Sequence, residues 1–578
     1  MGKLKAVFVA VLVVFATFDV SSAQSVPDPI VMGDARTLPV VARSGMVVSQ
    51  EARASRIGVD ILKAGGNAVD AAVATGFALA VTLPRAGNLG GGGFMLVHLA
   101  KERKTIAIDY RETAPAAAAP DMFLDPEGRF VPRLSQSSGA GVGVPGTVAG
   151  FALALEKYGS GRFTLADLLA PAIALAREGL DVDDDLAFSL AVAGRRLSRY
   201  ASTRAIFMRP DGAPFEPGDR LVQKDLAASL QRIAASGAAG FYEGETAQKL
   251  VAAVQAEGGA MTLEDLKAYR AVERDAVRGT YRGHEIASMP PPSSGGVHVI
   301  QILNILERFP LRDLGQNSAA AIHLMAEAMK RAYADREIYL GDPDFVRVPV
   351  AGLVSKDYAA SLAAKISTGR ATPSDQISAG RPPGFESDQT THYSVVDRHG
   401  NAVSNTYTLN FSYGLGLVAD GTGVILNNEL DDFAAVAGAP NAYGLRGGAA
   451  NAPGPRKRPL SSMSPAMVFR DGELELVTGS PGGSRIITIV LQIISNVIDH
   501  GLNVAEASEA VRVHHQLHPD ELRVERGLSI DTIRLLEAKG HIVRQQRATG
   551  STQTIQRRDG VLYGAADTRQ RGTAAIGY

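Results

Sequence analysis

Gln389–Asn410, Q-T-T-H-Y-S-V-V-D-R-H-G-N-A-V-S-N-T-Y-T-L-N, is the stretch from which the rest of the chain can be read. Thr391 to Asp397 and Ala402 to Leu409 are rich in β-branched and aromatic residues, and Arg398-His399-Gly400-Asn401 between them is turn material, so a β-hairpin is expected. The residues before it are of another kind. From Ser367 to Gln389 the chain is polar, rich in Pro and Gly and without an apolar period, which is the pattern of a mobile exposed segment. A loose segment thus runs straight into a buried-type strand, and Thr390 stands at the junction. Two readings fit. In one, a linker ends where a second domain begins. In the other, the Gln389-Thr390 bond is cut and Thr390 becomes a new N-terminus. A threonine hydroxyl is a weak nucleophile, and a free α-amine on the same residue, with a pKa of about 8, supplies the base it lacks.

The 578 residues are 46% hydrophobic and 21% charged, an ordinary globular balance with ample material for a large core. A net charge of -1, with no basic block and no aromatic-basic interleaving, argues against a nucleic-acid partner. At the N-terminus Lys3 and Lys5 precede an apolar run from Ala6 to Phe18, followed by Ser21-Ser22-Ala23. These features spell a cleaved signal peptide over residues 1–23, with an uncleaved anchor as the alternative. The run is short for a bilayer and no other apolar stretch is long enough, so stable membrane insertion is not expected. Cysteine is absent, which excludes disulfides, thiolate metal sites, a cysteine nucleophile and a lipidated N-terminal cysteine. The expectation is an exported protein, periplasmic in the first place or secreted.

Along the chain, Glu51 to Ala64 has helical spacing and stops at Gly65-Gly66, and Asn67 caps a second, alanine-rich helix from Ala68 to about Val81. The glycine run Gly87 to Gly93 enters a strand rather than a helix and lacks a Lys-Ser/Thr pair. It therefore reads as a close backbone approach and not as a phosphate cradle. Thr105 to Tyr110 is a further strand, ending in Arg111. Residues 147 to 270 are mostly helical. A proline-stiffened turn, Met289 to Gly296, precedes a buried-type helix from Val297 to Arg308, and another helix spans Ala319 to Leu340. Beyond the hairpin lie strands at Gly423–Leu426, Ala466–Phe469 and Glu473–Val477, then an apolar helix from Arg485 to Asp499. Helices flank strands on both sides of Thr390, so a layered mixed α and β fold is expected.

Several residue groups can carry chemistry. Thr406, Thr408 and Asn410 share one face of an extended strand by its period of two, either as a working face or as a solvated edge. Arg111 is either a surface ion pair or a two-pronged grip on a carboxylate. Asn427-Asn428-Glu429-Leu430-Asp431-Asp432 reads as an acidic turn, a calcium loop or a pocket for an ammonium; with an arginine it would match the two charged ends of an α-amino acid. Ser461 and Ser462 offer hydroxyls on a proline-stiffened loop, and Gly482-Gly483 ahead of a helix can aim backbone N-H groups at a developing oxyanion. No G-x-S-x-G elbow occurs. His514, His515 and His518 lack the spacing of a metal site.

Taken together and in this order, Q-T-T-H-Y-S-V-V-D, N-N-E-L-D-D-F, R-P-L-S-S-M-S-P and G-S-P-G-G-S-R resemble γ-glutamyltransferase, a member of the N-terminal nucleophile hydrolases. The similarity extends from about Ala54 through D-Y-R-E-T-A-P to Gly577-Tyr578. The resemblance implies an α+β fold, a four-layer αββα sandwich built jointly by two products of autocleavage between Gln389 and Thr390. These would be a large subunit (24–389) and a small catalytic subunit (390–578) that remain associated as a heterodimer. It implies Thr390 as nucleophile, with Thr408 hydrogen-bonded to its hydroxyl and Gly482 and Gly483 as the oxyanion hole. Arg111, Ser461 and Ser462 would hold the α-carboxylate of a γ-glutamyl group, Asn410, Glu429 and Asp432 its α-ammonium, and Tyr443 would gate the site from a lid loop. The implied substrates are glutathione and related γ-glutamyl compounds, with water, amino acids or dipeptides as acceptors and no cofactor. An acylase of the same superfamily and a non-catalytic binder of glutamyl peptides are the competing readings.

Overall fold

The computed structural model describes residues 37–380 and 391–578, so the expected leader and Thr390 lie outside the described residues. Two seven-stranded sheets form its centre. Their strands before residue 380 are β1 (Val40–Ala42), β2 (Met46–Ser49), β3 (Gly92–Leu99), β4 (Lys104–Tyr110), β5 (Val272–Asp275), β6 (Val277–Tyr281) and β7 (His284–Ser288). Those from residue 391 onward are β8 (Thr391–Val396), β9 (Ala402–Thr408), β10 (Ala466–Arg470), β11 (Glu473–Thr478), β12 (Gln553–Arg558), β13 (Val561–Ala566) and β14 (Ala574–Gly577). One sheet runs β14-β2-β8-β9-β3-β4-β5 and the other β1-β13-β12-β11-β10-β7-β6. Both sheets therefore interleave strands from the two sides of residue 390, which rules out the reading of 367–389 as a linker between domains.

The hairpin is β8 and β9, paired from Thr391↔Tyr407 to Val396↔Ala402 around the 397–401 turn. It is central in its sheet, with β2 antiparallel on one edge and β3 on the other. Alternation sorts its side chains to two buried faces. In β3, Phe94 and Leu96 face the second sheet with Met46, Val48, Met467, Val477 and Ile555, while Met95 and Val97 face helices with Tyr393, Val395, Val403 and Tyr407. The polar residues of the hairpin are also buried. His392 bonds Thr406 and Ser394, Ser394 donates to the Gln553 carbonyl, and Ser404 donates to that of Thr478. Thr406 is thus no solvated edge, because its hydroxyl is matched across the hairpin.

Helices α1 (Ala52–Lys63), α2 (Ala68–Thr82) and α3 (Thr147–Tyr158) cover the outer face of the hairpin sheet. The helical stretch that follows includes α4 (Asp184–Leu197). Helices α5 (Gly295–Leu306), α6 (Ala319–Tyr339) and α7 (Ile486–Ile498) cover the other sheet, completing an αββα sandwich. The start of α2 is a reciprocal cap, Asn67 accepting from Val69 and Asp70 while Asp70 accepts from Asn67 N-H. Its small residues let the hairpin reach helix backbone. Tyr393 donates to the Ala72 carbonyl and Tyr407 to that of Gly76, where any Cβ would stand 2.4 Å from the Phe151 ring.

The segment leading to the junction departs from the sequence expectation. As far as Gly380 it is fastened: Thr372 donates to Glu327, Ser374 N-H to Asp520 and Gly380 N-H to Asp335, while Tyr339 donates to the Gly380 carbonyl. Composition shows a polar stretch but not the acidic partners waiting on α6. Glu327 also pairs Lys330 at 2.9 Å, with both side chains buried. Burial opposes the Glu327 charge, but Lys330, with hydrogen bonds from Thr372 and Arg331, outweighs it and holds the carboxyl at about 2. Glu327→Ala takes from buried Lys330 and Arg331 the carboxylate they share, leaving Lys330 with Asp520 at 3.9 Å, and should cost about 3–5 kcal/mol. A lowered urea midpoint, together with faster limited proteolysis near Thr372, checks this.

Candidate active site

β4 ends at Tyr110, and the next residue, Arg111, turns inward with 0% exposure. It is not the surface ion pair that a lone arginine at a strand end suggests. Its Nε donates to the Pro459 carbonyl at 3.1 Å and Nη2 to that of Leu460 at 3.4 Å. Nη1 pairs with Glu429, and Nη2 donates to Asp432 Oδ2 at 2.7 Å. The backbone is held as well, Arg111 N-H donating to Asp109 and Tyr269 Oη to the Arg111 carbonyl.

The carboxylates arrive on a single 3-10 turn, Glu429–Asp432. Asn427 fixes that turn: its Oδ1 accepts from Gly143 and Glu429 N-H, and its Nδ2 donates to the carbonyls of Gly90 and Gly143. The glycine run is the close approach its composition suggests, since a Cβ on Gly90 would lie 2.1 Å from the Ile425 carbonyl oxygen and one on Gly91 1.9 Å from that of Thr408. The serine loop follows directly on the two carbonyls that face Arg111. Ser461 exchanges backbone bonds with the proline turn, accepting from Ser294 N-H and donating to the Pro292 carbonyl.

Asn410 does not continue the face of Thr406 and Thr408, because β9 ends at Thr408 and Asn410 takes a positive φ of 70°. Its N-H donates to Thr408 Oγ1, its Nδ2 to the Asn428 carbonyl, and its own carbonyl accepts from Tyr443 Oη at 3.1 Å. The loop bearing Tyr443 also sends Asn441 Nδ2 to Asp432 Oδ1. Among the described residues, Asn410 Oδ1, Glu429 Oε2 and Ser462 Oγ are buried without a hydrogen-bond partner. Buried polar atoms of this kind call for a partner.

The structure therefore brings Arg111, Glu429 and Asp432 into contact and sets Ser461, Ser462, Asn410, Thr408 and Tyr443 on the segments adjoining them. Gly482 and Gly483 lie on the loop between β11 and α7, with φ of 141° and 68° that only glycine adopts freely. β8 begins right after the position of Thr390, and its first residue pairs with Tyr407, the neighbour of Thr408. Sequence reasoning gave no role to Glu112, Asn441 and Tyr269, and named Asn427 only as part of the acidic turn. Glu112 and Asn441 lie within two residues of positions it had singled out, and that adjacency was the available signal. Among the described residues no cluster of three or more His, Asp or Glu could hold a metal ion. His514 bonds Thr488 and Gln516, and His515 pairs with Asp520.

Electrostatically the site is unbalanced. Glu112 lies 3.6 Å from Arg111 and, with Glu429 and Asp432, places three buried carboxyls around one guanidinium. Burial works against the Arg111 charge, yet the surrounding carboxylates win and strengthen its hold on its proton. Burial pushes the carboxyls up in turn, Asp432 to about 6, Glu112 to about 7 and Glu429 well above its ordinary range. The cluster thus retains proton at neutral pH, and an additional cation would be welcome there. A carboxyl raised in the folded state binds a proton that the unfolded chain has released, so its contribution to stability falls as pH rises through the window from about 4.5 to 7. Glu112→Gln lacks that loss and should gain on the unsubstituted protein by on the order of 1–3 kcal/mol between pH 5 and pH 8. Urea midpoints at the two pH values check the sign.

Comparison with known proteins bears on what this site serves. A family model described as Gamma-glutamyltranspeptidase matches residues 54–577. A glutathione hydrolase proenzyme of Escherichia coli (strain K12) is 54% identical over 579 residues, covering 100% of this chain and 99% of the relative. Among solved structures, a cephalosporin acylase from Bacillus halodurans superposes with a TM-score of 0.83 at 28% identity, covering 97% of this chain and 99% of its own. A gamma-glutamyltranspeptidase of Helicobacter pylori gives 0.56 at 45% identity over 61% of this chain and 97% of its own.

Proposed function

This chain belongs to the gamma-glutamyltranspeptidase family, and from that premise we infer how its residues carry out glutathione hydrolysis and γ-glutamyl transfer. It is an enzyme of the N-terminal nucleophile type, made as a proenzyme that cleaves itself. The cut falls between Gln389 and Thr390, giving chains 24–389 and 390–578 after removal of the leader. Export to the periplasm follows from that leader, and no helix among the described residues is long and apolar enough to cross a membrane.

The observation that carries the reading is Arg111 buried against Glu429 and Asp432, with unpartnered oxygens on Asn410 and Ser462 beside them. A zwitterionic α-amino acid head matches that arrangement. Its carboxylate goes to Arg111, Ser461 and Ser462, and its ammonium to Asn410, Glu429 and Asp432. The γ-carbonyl of the held group then faces Thr390, whose α-amine takes the hydroxyl proton as Oγ attacks, with Thr408 bonded to that hydroxyl. Backbone N-H groups of Gly482 and Gly483 stabilise the oxyanion. The amine leaves with the proton and a γ-glutamyl ester remains. Water resolves the ester to glutamate, or an amino acid or dipeptide amine resolves it to a new γ-glutamyl amide. Tyr443, bonded to the Asn410 carbonyl, gates the entry. These steps use groups of the chain alone and invoke no cofactor.

A denaturing gel of purified protein should show two bands, about two-thirds and one-third of the chain, with the smaller beginning T-T-H-Y-S; Thr390→Ala should give one uncut, inactive band. The acylase relative raises a second reading, in which the acyl group lacks the ammonium. Rates on γ-glutamyl-p-nitroanilide should exceed those on glutaryl-p-nitroanilide by more than about tenfold, the worth of one charge-assisted bond. Equal rates would favour the acylase.

A further inference from the structure

A cleft of about 850 Å³ has Pro481, Gly482 and Gly550 on one wall and α4 on the other, with Ser412 between them. It shares Gly482 with the proposed oxyanion loop, and Ser412 lies two residues past Asn410. Arg196 ties the two places together, donating to the Ser412 and Gly414 carbonyls while its guanidinium lies 5.5 Å from the centre of the Phe411 ring, which meets Tyr443 edge to face.

Its lining has a definite chemistry. On α4 and its extension, Phe188, Val192, Arg195 and Arg199 recur at helical spacing on one face, with Phe188 65% and Val192 71% exposed. Arg571 faces them from the C-terminal segment, its side chain 74% exposed and no closer than 3.9 Å to Asp184. Asp185 is the acidic residue of the lining, and it is already paired with Arg85. Arg195, Arg199 and Arg571 therefore surround the cleft with positive charge that no lining acid offsets, beside two apolar side chains without a core to join. Such a volume is of the size that encloses a small peptide.

We propose that this cleft is the subsite for the half of the donor or acceptor that is not γ-glutamyl, and that it selects peptides ending in a free carboxylate. The inference rests on the γ-glutamyl-transfer reading above. In glutathione the cysteinylglycine portion lies along Phe188 and Val192 with its terminal carboxylate toward the three arginines, and a dipeptide acceptor takes the same place in the second half-reaction. Charges of this kind at a rim act on capture and discrimination rather than on the bond-breaking step.

The test is Arg195→Gln/Arg199→Gln/Arg571→Gln assayed on three donors: glutathione, glutathione with its glycine amidated, and γ-glutamyl-p-nitroanilide. The ratio of kcat/KM for glutathione to that for the anilide should fall about fivefold or more through KM, the ratio for the amidated peptide should stay constant, and added salt should narrow the glutathione gap between variant and unsubstituted enzyme. An unchanged glutathione ratio, or an equal fall for the amidated peptide, overturns the subsite while leaving the transfer reading intact. An unsubstituted enzyme that cleaves none of the three donors overturns the transfer reading and the subsite with it.

Discussion

A guanidinium with no exposure must be paired, because an ion removed from water costs several kcal/mol unless neighbours replace its hydration. Arg111 is the point at which that constraint acts. Two backbone carbonyls of the serine loop, two carboxylates of the Glu429–Asp432 turn and the nearby Glu112 meet it from separate parts of the chain. Each of those parts is fastened by a further group. Tyr269 bonds the arginine's own carbonyl, Asn427 fixes the acidic turn against the glycine run, and the proline turn holds Ser461. The surplus of carboxyls over cations makes the cluster receptive to a second positive charge, and the adjacent unpartnered oxygens make it receptive to a polar ligand.

The sandwich would keep this site assembled in a chain cut before β8, as proposed above. β8 is bonded to β2 on one edge and β9 on the other, so it is anchored to strands from both sides of residue 390. Arg111 comes from the earlier portion, while Glu429, Asp432 and the serine loop come from the later one. The two buried faces of the hairpin sheet, one against helices and one against the second sheet, supply apolar contact that does not depend on chain continuity.

Much of this was legible in the sequence where a repeating pattern carried it. The hairpin and its turn followed from alternation, and α1, α2, α5 and α7 from apolar spacing with glycine and asparagine at their ends, so those boundaries agree within a residue or two. The order of the motifs led to the layered fold. What escaped has no periodicity. Arg111 is one residue at a strand end, and its burial depends on a turn some 318 residues away. Asn410 leaves the strand through a left-handed backbone angle that an alternation rule cannot register. The tethers on Thr372 and Gly380 come from acids on a distant helix, and Glu112 was hidden beside the more conspicuous arginine.

The central claim is that Arg111 and the Glu429–Asp432 turn form a two-ended grip for an α-amino acid. The most direct measurement is a crystal structure of the cleaved enzyme with L-glutamate bound. The account predicts the α-carboxylate within hydrogen-bond distance of the Arg111 guanidinium and the α-ammonium among Asn410, Glu429 and Asp432. Glutamate bound with its α-carboxylate elsewhere, or Arg111 still closed on Glu429 and Asp432 with the ligand outside, would contradict it.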